Sequence, residues 1–356
     1  MNKILNQYLD YLVKIIFRIK RKIIHSELLF PYPVISILDD VYGFDLKYSF
    51  QKIPEQPSYW QIYNPAKKIK AEKNFAPRNE FLVKNVHLNT INGGVFTRGR
   101  QLLLESTIWP EHLHLKYRVP DQRLLPILPI NTTFEKAICL PATGNYYHWL
   151  IEELPSFLIL NSRYPDMQIL TNKVKPDYLL SFIEQFKLSI INVEDFVNVT
   201  EYRFVQKAQD SSWPNPNDLQ ILRNHFLNDL GHSNKYKNSK VYISRIKSTR
   251  SPKFEKALVD RLKEKGWSII EPGSLSLFEQ VEIFASAKVI AGIHGAGLTG
   301  VVWANPGTKV IELCNELWKY PPVYSRISSI LGLDYNYLGY SGNHLDRYPS
   351  GFDKFL

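Results

Sequence analysis

Hydrophobic and polar residues alternate with two different periods along this chain of 356 residues. Short apolar runs typical of buried strands come between segments whose apolar residues recur every three to four positions, as in amphipathic helices. The alternation is clearest after residue 236, where helical segments follow the first three of four strand-like runs. These runs are KVYISRI, WSIIEPG, KVIAGIH and TKVIELC. Their order predicts a parallel sheet with helices on both faces.

A weaker form of the same pattern begins at about residue 137. KAICLPATG indicates a strand and a turn, and NYYHWLIEELPSFLILNSRY indicates a helix that Pro155 disturbs. Before this point, the segment FLVKNVHLNTINGGVFTRGRQLLLES predicts strands around glycine turns. HSNKYKNSK is polar and basic, which is typical of a linker. We therefore predict three parts: a basic amphipathic helix over 1–25, a first domain over 26–235 that is β-rich at its start, and a second Rossmann-like domain over 236–356.

The N-terminal segment carries leucines and isoleucines at helical spacing and five basic residues between Lys14 and Lys22. Its apolar runs are too short to span a bilayer, and its charges come after the apolar part, unlike those of a secretory signal. Two interpretations remain open. The helix lies on an anionic membrane surface, or it packs on its own domain.

The balance of charge favours anionic partners. Lysine and arginine number 44 against 34 acidic residues, an excess of 10. The basic residues are concentrated in the N-terminal helix and one loop rather than along a continuous face, so no nucleic acid is expected as a partner. Cys139 and Cys314 both lie in apolar strand-like runs, which argues against a disulfide framework and favours a reducing compartment.

Polar residues follow the strand-like runs of the second domain, where ligands of parallel sheets bind. Arg245, Lys247 and Arg250 follow the first run and suit a diphosphate, although Lys247 is equally well explained as a solvated side chain. His294 follows the third run and leads through glycines into a helix, whose N-terminus favours an anion. The segment is neither GxGxxG nor a Walker loop, which argues against a nicotinamide-dependent oxidoreductase.

The other two strand ends suggest contacts with a nucleoside. Pro272 and Gly273 expose main-chain groups that suit a planar base edge. Glu312 ends the fourth run, where it accepts hydrogen bonds from ribose hydroxyls or pairs with the neighbouring arginines. We find no metal-ligand spacing and expect no metal.

A second group of candidates lies in GNYYHWLIEELP. His148 and Glu152 are four residues apart and share a helix face, where a carboxylate suits a general base acting on a sugar hydroxyl. The alternative is a partly buried ion pair or a set of surface acids. The candidates for the acceptor side are Asn145, Tyr147, Glu153 and Trp213.

Together, GNYYHWLIEELP and the run from VYISRIKSTR to GTKVIEL resemble glycosyltransferase family 61 over roughly residues 137–315. The resemblance implies a GT-B architecture of two Rossmann-like domains facing a cleft, and an inverting transfer from a nucleotide-sugar without metal or other cofactor. It implies that Glu152 is the catalytic base with His148 beside it, although glutamate replaces the usual aspartate and Glu153 competes for the role. The diphosphate contacts that it implies are Arg245, His294, Gly295, Ala296 and Gly297, with Glu312 at the ribose.

The resemblance and the basic N-terminus together suggest a biological setting. We expect a UDP-linked donor and a glycan or lipid-linked acceptor, as in capsule, O-antigen or lipopolysaccharide synthesis. The protein would then work in the cytoplasm, on the cytoplasmic face of a bacterial inner membrane. The alternatives are an inactive glycan-binding member of the same fold and, less well supported, a basic nucleic-acid-binding protein.

Overall fold

Two large sheets organise the part of the chain that the computed structural model describes. The described residues are 34–35, 48–52, 58–64, 69–75, 77–98, 102–106, 130–207, 213–228, 236–237, 239–248, 250–317, 321–340 and 348–356. The predicted helix over 1–25 lies outside them, and so does most of the predicted linker. No helix of the described residues is long and apolar enough to cross a membrane.

The first sheet is mixed and has nine strands, and a separate two-stranded hairpin accompanies it. The strands of this half are β1 Val34–Ile35, β2 Tyr48–Lys52, β3 Ser58–Asn64, β4 Ile69–Phe75, β5 Asn79–Asn89, β6 Val95–Phe96, β7 Leu102–Leu103, β8 Thr133–Cys139, β9 Gln168–Asn172, β10 Ile190–Val193 and β11 Phe196–Val205. The sheet order is β1-β7-β6-β5-β11-β8-β9-β10, with β2 also paired to β5 and with β3 and β4 forming the hairpin. The run β11-β8-β9-β10 is parallel.

The second sheet is parallel throughout and has five strands. They are β12 Lys240–Ile243, β13 Ser268–Ile270, β14 Val289–Ile293, β15 Lys309–Asn315 and β16 Asp334–Tyr340. Their order is β13-β12-β14-β15-β16, the doubly wound order in which the chain reverses direction across the sheet between β12 and β14. Beyond their first residues, β14 and β15 are buried along their whole length, because helices cover both faces of a parallel sheet. The predicted α/β class with parallel sheets is confirmed.

Seven α-helices of the described residues connect these strands. They are α1 Tyr146–His148, α2 Leu154–Arg163, α3 Asp177–Gln185, α4 Pro216–Leu227, α5 Glu255–Glu264, α6 Leu277–Ser286 and α7 Val323–Leu331. A capping box begins α6, with Ser276 and Glu279 bonded reciprocally. The pattern did not predict α7 or β16. The helix predicted after His294 is a 3₁₀-helix over Ala296–Trp303.

One apolar core joins the two sheets. Helix α4 follows the first sheet in sequence, yet its Phe226 packs against Trp303 of the second half, with ring centroids 5.8 Å apart. Arg223 of the same helix donates to the carbonyl oxygens of Val302 and Ala304 at 2.7 and 2.8 Å. The chain passes from the first sheet to the second near residue 235. Because the two sheets share one core, the division into separate domains stays a prediction.

Candidate active site

The switch point of the second sheet brings Arg245 and His294 together. Strands β12 and β14 pair in parallel, with Ile243 opposite Gly292, so both residues lie just beyond the same sheet edge. The Arg245 guanidinium donates a hydrogen bond to the carbonyl oxygen of His294 and approaches the hydroxyl of Ser248 at 3.3 Å. Doubly wound sheets bind their ligands at this position.

A buried carboxylate holds the loop that carries Arg245. The backbone N–H of Arg245 donates to Oε1 of Glu255 at 2.6 Å, and the hydroxyl of Ser251 bonds to the other oxygen. Glu255 is fully buried at the start of α5. Glu255 lies too far along the chain from the end of β12 for the sequence to indicate that it holds this loop. By contrast, Lys247 is highly exposed and pairs with Glu271 at 2.6 Å, as a solvated side chain does.

Gly295 is needed for the space that it leaves to the Arg245 guanidinium and not for its backbone conformation. Its φ of 161° is extended and open to any residue. A Cβ atom built there would lie 2.7 Å from Cζ of Arg245, too close for the guanidinium to stay in place. A Cβ on Gly297 would lie 3.1 Å from Cγ2 of Ile243. The 3₁₀-helix begins at Ala296, and its first N–H groups lack partners within the helix.

The Glu312 carboxylate holds the His294 imidazole in position. Its Oε1 contacts Nδ1 of the His294 imidazole, and its Oε2 accepts a hydrogen bond from the hydroxyl of Tyr335. The carboxylate is almost fully buried. Burial, then the charge of Glu312, raises the pKa of the Tyr335 hydroxyl, so the tyrosine stays a donor. Each carboxylate oxygen thus has a partner inside the protein, and the ribose contact of Glu312 stays a prediction.

Three possible metal ligands meet at this place. Ligand atoms of His294, Glu312 and Cys314 lie within 4.8 Å of one another. Burial, then the charge of Glu312, raises the pKa of the Cys314 thiol, which disfavours the thiolate that a metal needs. The contact between His294 and Glu312 also explains the arrangement without an ion. Whether the protein works without metal stays a prediction.

The first-half motif forms a helix with a widened turn. Asn145 caps α1 by accepting the backbone N–H of Tyr147 at 3.0 Å, which accounts for its side chain as a helix cap. The chain then makes a π-helical turn over Trp149–Glu153, in which the N–H of Leu154 bonds to the carbonyl of Trp149. Pro155 follows directly. A proline lacks an N–H and clashes with the carbonyl four residues back, so a widened turn accommodates it without ending the helix.

The turn places two neighbouring glutamates in different environments. Oε2 of Glu152 lies 2.8 Å from Nδ1 of His148. Burial is the largest cause that raises the pKa of Glu152, to about 7, against the opposing hydrogen bond and charge of His148. Glu153 is fully buried and forms an ion pair with Lys207. Burial raises the pKa of Glu153 as well, and Lys207 opposes the rise. Lys207 ends a strand-like run and carried no signal in the sequence.

Aromatic rings connect the two halves of the site. Tyr324 of α7 lies with its ring centroid 5.5 Å from that of His294 and 6.2 Å from that of Tyr147. Its hydroxyl donates to the carbonyl of Gly295 at 2.6 Å. Tyr147 in turn lies 5.3 Å from the ring of His148. The rings of Tyr147 and Tyr324 thus connect His148 to His294. Sequence reasoning missed Tyr324 because α7 was not predicted.

A second link runs through Gln280 of α6. Its side-chain oxygen accepts from the Tyr146 hydroxyl at 3.0 Å, and its amide donates to the carbonyl of Pro272 at 3.1 Å. Gly273 beside it is exposed, with no atom within 4 Å of a Cβ built there. The predicted base-binding loop is therefore open to solvent and attached to the first-half motif.

Trp213 does not present an open face to an acceptor. The Arg326 guanidinium lies 3.8 Å above its ring centroid, and Phe75 packs against it edge-on at 6.5 Å. The indole is largely buried. The acceptor role predicted for Trp213 is therefore corrected to a packing role between the first half and α7.

The second half is a doubly wound parallel sheet that carries Arg245 and His294 at its switch point, the position where α/β proteins of this architecture bind their ligands. The family model described as Glycosyltransferase 61 matches residues 146–311, which include His148, Glu152, Arg245 and His294. This match confirms the resemblance of this part of the chain to glycosyltransferase family 61.

One curated relative is Beta-1,2-xylosyltransferase RCN11 of Oryza sativa subsp. japonica. It is 34% identical over 70 residues, which cover 20% of this chain and 13% of the relative. The alignment thus spans a small part of the relative's length. Among solved structures, the dodecameric iron-containing heptosyltransferase TibC in complex with ADP-D-β-D-heptose aligns over 83% of this chain and 84% of that chain. Its identity is 11% and its TM-score 0.28, too low to support an argument.

Proposed function

We propose that the protein is an inverting glycosyltransferase that moves a sugar from a nucleotide-sugar to a hydroxyl of a glycan, without a metal ion. One observation carries the proposal. Two histidine–carboxylate pairs, His148 with Glu152 and His294 with Glu312, meet through Tyr324 beside the switch point of a doubly wound sheet. One pair suits proton transfer and the other suits an anionic leaving group.

The donor side is the edge formed by Arg245, His294 and the start of the 3₁₀-helix. As the bond to the sugar breaks, negative charge develops on the departing diphosphate. An arginine, an imidazole N–H and free backbone N–H groups stabilise that charge through preorganised hydrogen bonds. Glu312 engages Nδ1 of the His294 imidazole, which leaves Nε2 as the ring nitrogen that can approach the phosphate oxygens.

The acceptor side is the pair formed by His148 and Glu152. In a single displacement, the acceptor oxygen bonds to the anomeric carbon as the bond to the diphosphate breaks. The electron pair of the broken bond leaves with the diphosphate, and the hydroxyl proton goes to the pair. A direct attack of this kind inverts the anomeric configuration. Glu153 is held in its ion pair with Lys207, which favours Glu152 over Glu153 as the carboxylate of this step.

The substrates and setting extend this proposal. We propose a UDP-linked donor, with xylose among the sugars to test because the rice relative is named a xylosyltransferase. The acceptor would be a glycan or lipid-linked glycan of a surface polysaccharide such as capsule or O-antigen. The basic N-terminal segment supports work at the anionic cytoplasmic face of a bacterial inner membrane.

A nucleotide-sugar screen tests the proposal. The full chain is heated with UDP-, GDP-, ADP- and CMP-sugars, with and without EDTA, and transfer to glycan acceptors is followed by mass spectrometry. We expect one nucleotide class to raise the melting temperature, with no effect of EDTA. Arg245→Ala should abolish the shift, whereas Arg250→Ala, on the exposed part of the same loop, should keep it. A shift that requires a divalent cation would contradict the metal-free mechanism, and no shift with any donor would contradict the function.

A further inference from the structure

His148 and Glu152 are the two groups that could accept the proton of the acceptor hydroxyl. Their side chains differ in exposure to solvent. The His148 side chain is 21% exposed and that of Glu152 is 6% exposed. The carboxylate therefore lies behind the imidazole as seen from solvent. An acceptor sugar that approaches from solvent meets the imidazole first.

Both oxygens of Glu152 are withdrawn from a substrate. Oε2 faces Nδ1 of His148 at 2.8 Å. Oε1 is enclosed and has no hydrogen-bond partner among the described residues. A general base must come within about 2.6–3.2 Å of the hydroxyl that it deprotonates. Glu152 reaches that distance only if His148 moves away.

The local backbone explains the difference. His148 is the last residue of α1 and Glu152 lies within the π-helical turn that follows. All five residues of that turn are buried, so the turn directs its side chains inward. Wide turns of this kind occur often at functional sites.

The ring of His148 also lies on the side of the donor. Tyr147 contacts it edge-on, Tyr324 contacts Tyr147, and His294 contacts Tyr324. Two rings thus separate the imidazole of the acceptor side from that of the donor side. This chain of contacts connects His148 to the edge of the second sheet that carries His294.

From this geometry we infer that His148 is the general base that touches the acceptor hydroxyl, and that Glu152 is a positioning residue acting through it. The inference rests on the proposed function and replaces Glu152, the base that the resemblance implies. With Glu152 ionised, Nδ1 of His148 keeps its proton and donates it to Oε2, which leaves the lone pair on Nε2. Nε2 takes the hydroxyl proton as the acceptor oxygen bonds to the anomeric carbon. The diphosphate leaves with the electron pair, and Glu152 stabilises the imidazolium.

Other charged groups near the pair fit this assignment. Glu153 and Lys207 both act on Glu152, with opposite sign, and they neutralise each other in their own ion pair. No further charged group is among the causes that shift the pKa of Glu152. Above pH 7 the Glu152 carboxyl is therefore ionised and can accept the hydrogen bond from Nδ1 of His148.

Chemical rescue and pH profiles separate the two assignments. His148→Ala should lower kcat by about 10²- to 10⁴-fold, the usual contribution of a general base, while donor binding stays unchanged. Added imidazole should restore part of the rate. Glu152→Gln should also be slow, but imidazole should not restore it. Its profile of log kcat/KM against pH should keep an acid limb, because the group that accepts the proton, His148, is still present.

Several outcomes would overturn the inference. Loss of the acid limb in Glu152→Gln would assign the base to Glu152, and so would near-normal activity of His148→Ala or rescue of Glu152→Gln by formate. His87→Ala is the control, since His87 bonds to Asn198 in the first sheet and imidazole should not change its rate.

A measurement without substrate separates failure of the inference from failure of the proposed function. Nitrogen-15 NMR of the resting protein at pH 8 should show His148 with its proton on Nδ1 and none on Nε2. A proton on Nε2 at that pH would overturn the inference even in a protein that transfers no sugar. If the proton is on Nδ1 and no donor is turned over, the proposed function fails and the orientation of His148 stands.

Discussion

Replacing Glu152 by glutamine should change how the stability of the fold depends on pH. Burial raises the pKa of this carboxyl from its ordinary value of 4.5 to about 7. Between these two values the unfolded chain has lost a proton that the folded protein keeps. The unfolded state then binds fewer protons, so the free energy of unfolding falls as pH rises through this range. Glutamine has nearly the same shape and does not titrate.

The size of the effect follows from the two pKa values. Each pKa unit corresponds to about 1.36 kcal/mol, so the full cost of ionising the buried carboxyl is on the order of 3 kcal/mol. Linkage gives a cost of about 1 kcal/mol at pH 5 and about 3 kcal/mol at pH 8. Relative to wild type, Glu152→Gln should therefore gain about 2 kcal/mol of stability between these two pH values.

Urea unfolding at a series of pH values, followed by tryptophan fluorescence, measures this difference. Titrating groups that do not interact with Glu152 contribute equally to both proteins and cancel. Glu184→Gln is the matched control, because Glu184 is exposed on α3 and its replacement should leave the pH profile unchanged. Parallel profiles for Glu152→Gln and wild type would refute the argument, since they would mean that burial does not perturb this carboxyl.

Three further substitutions test other parts of the site. Gly295→Ala should displace the Arg245 guanidinium, whose Cζ would lie 2.7 Å from the new Cβ, and donor affinity measured by calorimetry should fall at least about tenfold. Lys207→Met removes one partner of a buried ion pair and should lower the free energy of unfolding by about 3–5 kcal/mol at pH 8. The loss should be smaller at pH 5, where Glu153 is protonated more easily. Tyr324→Phe should cost about 1 kcal/mol in urea unfolding, because the Gly295 carbonyl loses the tyrosine hydroxyl but keeps the backbone N–H of Leu298 as a donor.

Matched variants show what each result means. Gly144→Ala places a Cβ in open space outside the loops assigned to the donor and should leave donor affinity unchanged, so an equal loss in both alanine variants would contradict the role of Gly295. Lys173→Met breaks an exposed pair with Glu194 and should cost less than about 1 kcal/mol. If Lys207→Met cost no more than this, the buried pair would not stabilise the fold.

Sequence periodicity predicted the second sheet well because its strands are buried on both faces and read as continuous apolar runs. It also placed Arg245 and His294 at one edge, since the carboxyl ends of parallel strands coincide. The pattern missed α7 and β16, and with them Tyr324 and Tyr335, because no local signal marks them among the aromatic residues of that segment.

Roles that depend on burial could not be predicted from spacing. The four-residue interval between His148 and Glu152 predicted that the two side chains meet, and they do. It could not show which of them faces solvent, because a π-helical turn rather than a regular helix sets their depth. Glu312 is a similar case, because its place on β15 follows from the sequence pattern, whereas its contacts with Tyr335 and His294 do not.

The packing of α4 against both sheets limits how this protein can be divided into fragments. Phe226 and Trp303 bury their rings against each other, so a fragment that ended near residue 235 would expose an apolar surface, and so would one that began there. The two halves are then poor candidates for separate expression or for exchange between related proteins. The rings that join His148 to His294 depend on the same interface, so a loosened junction would alter the distance between acceptor and donor before either half unfolded.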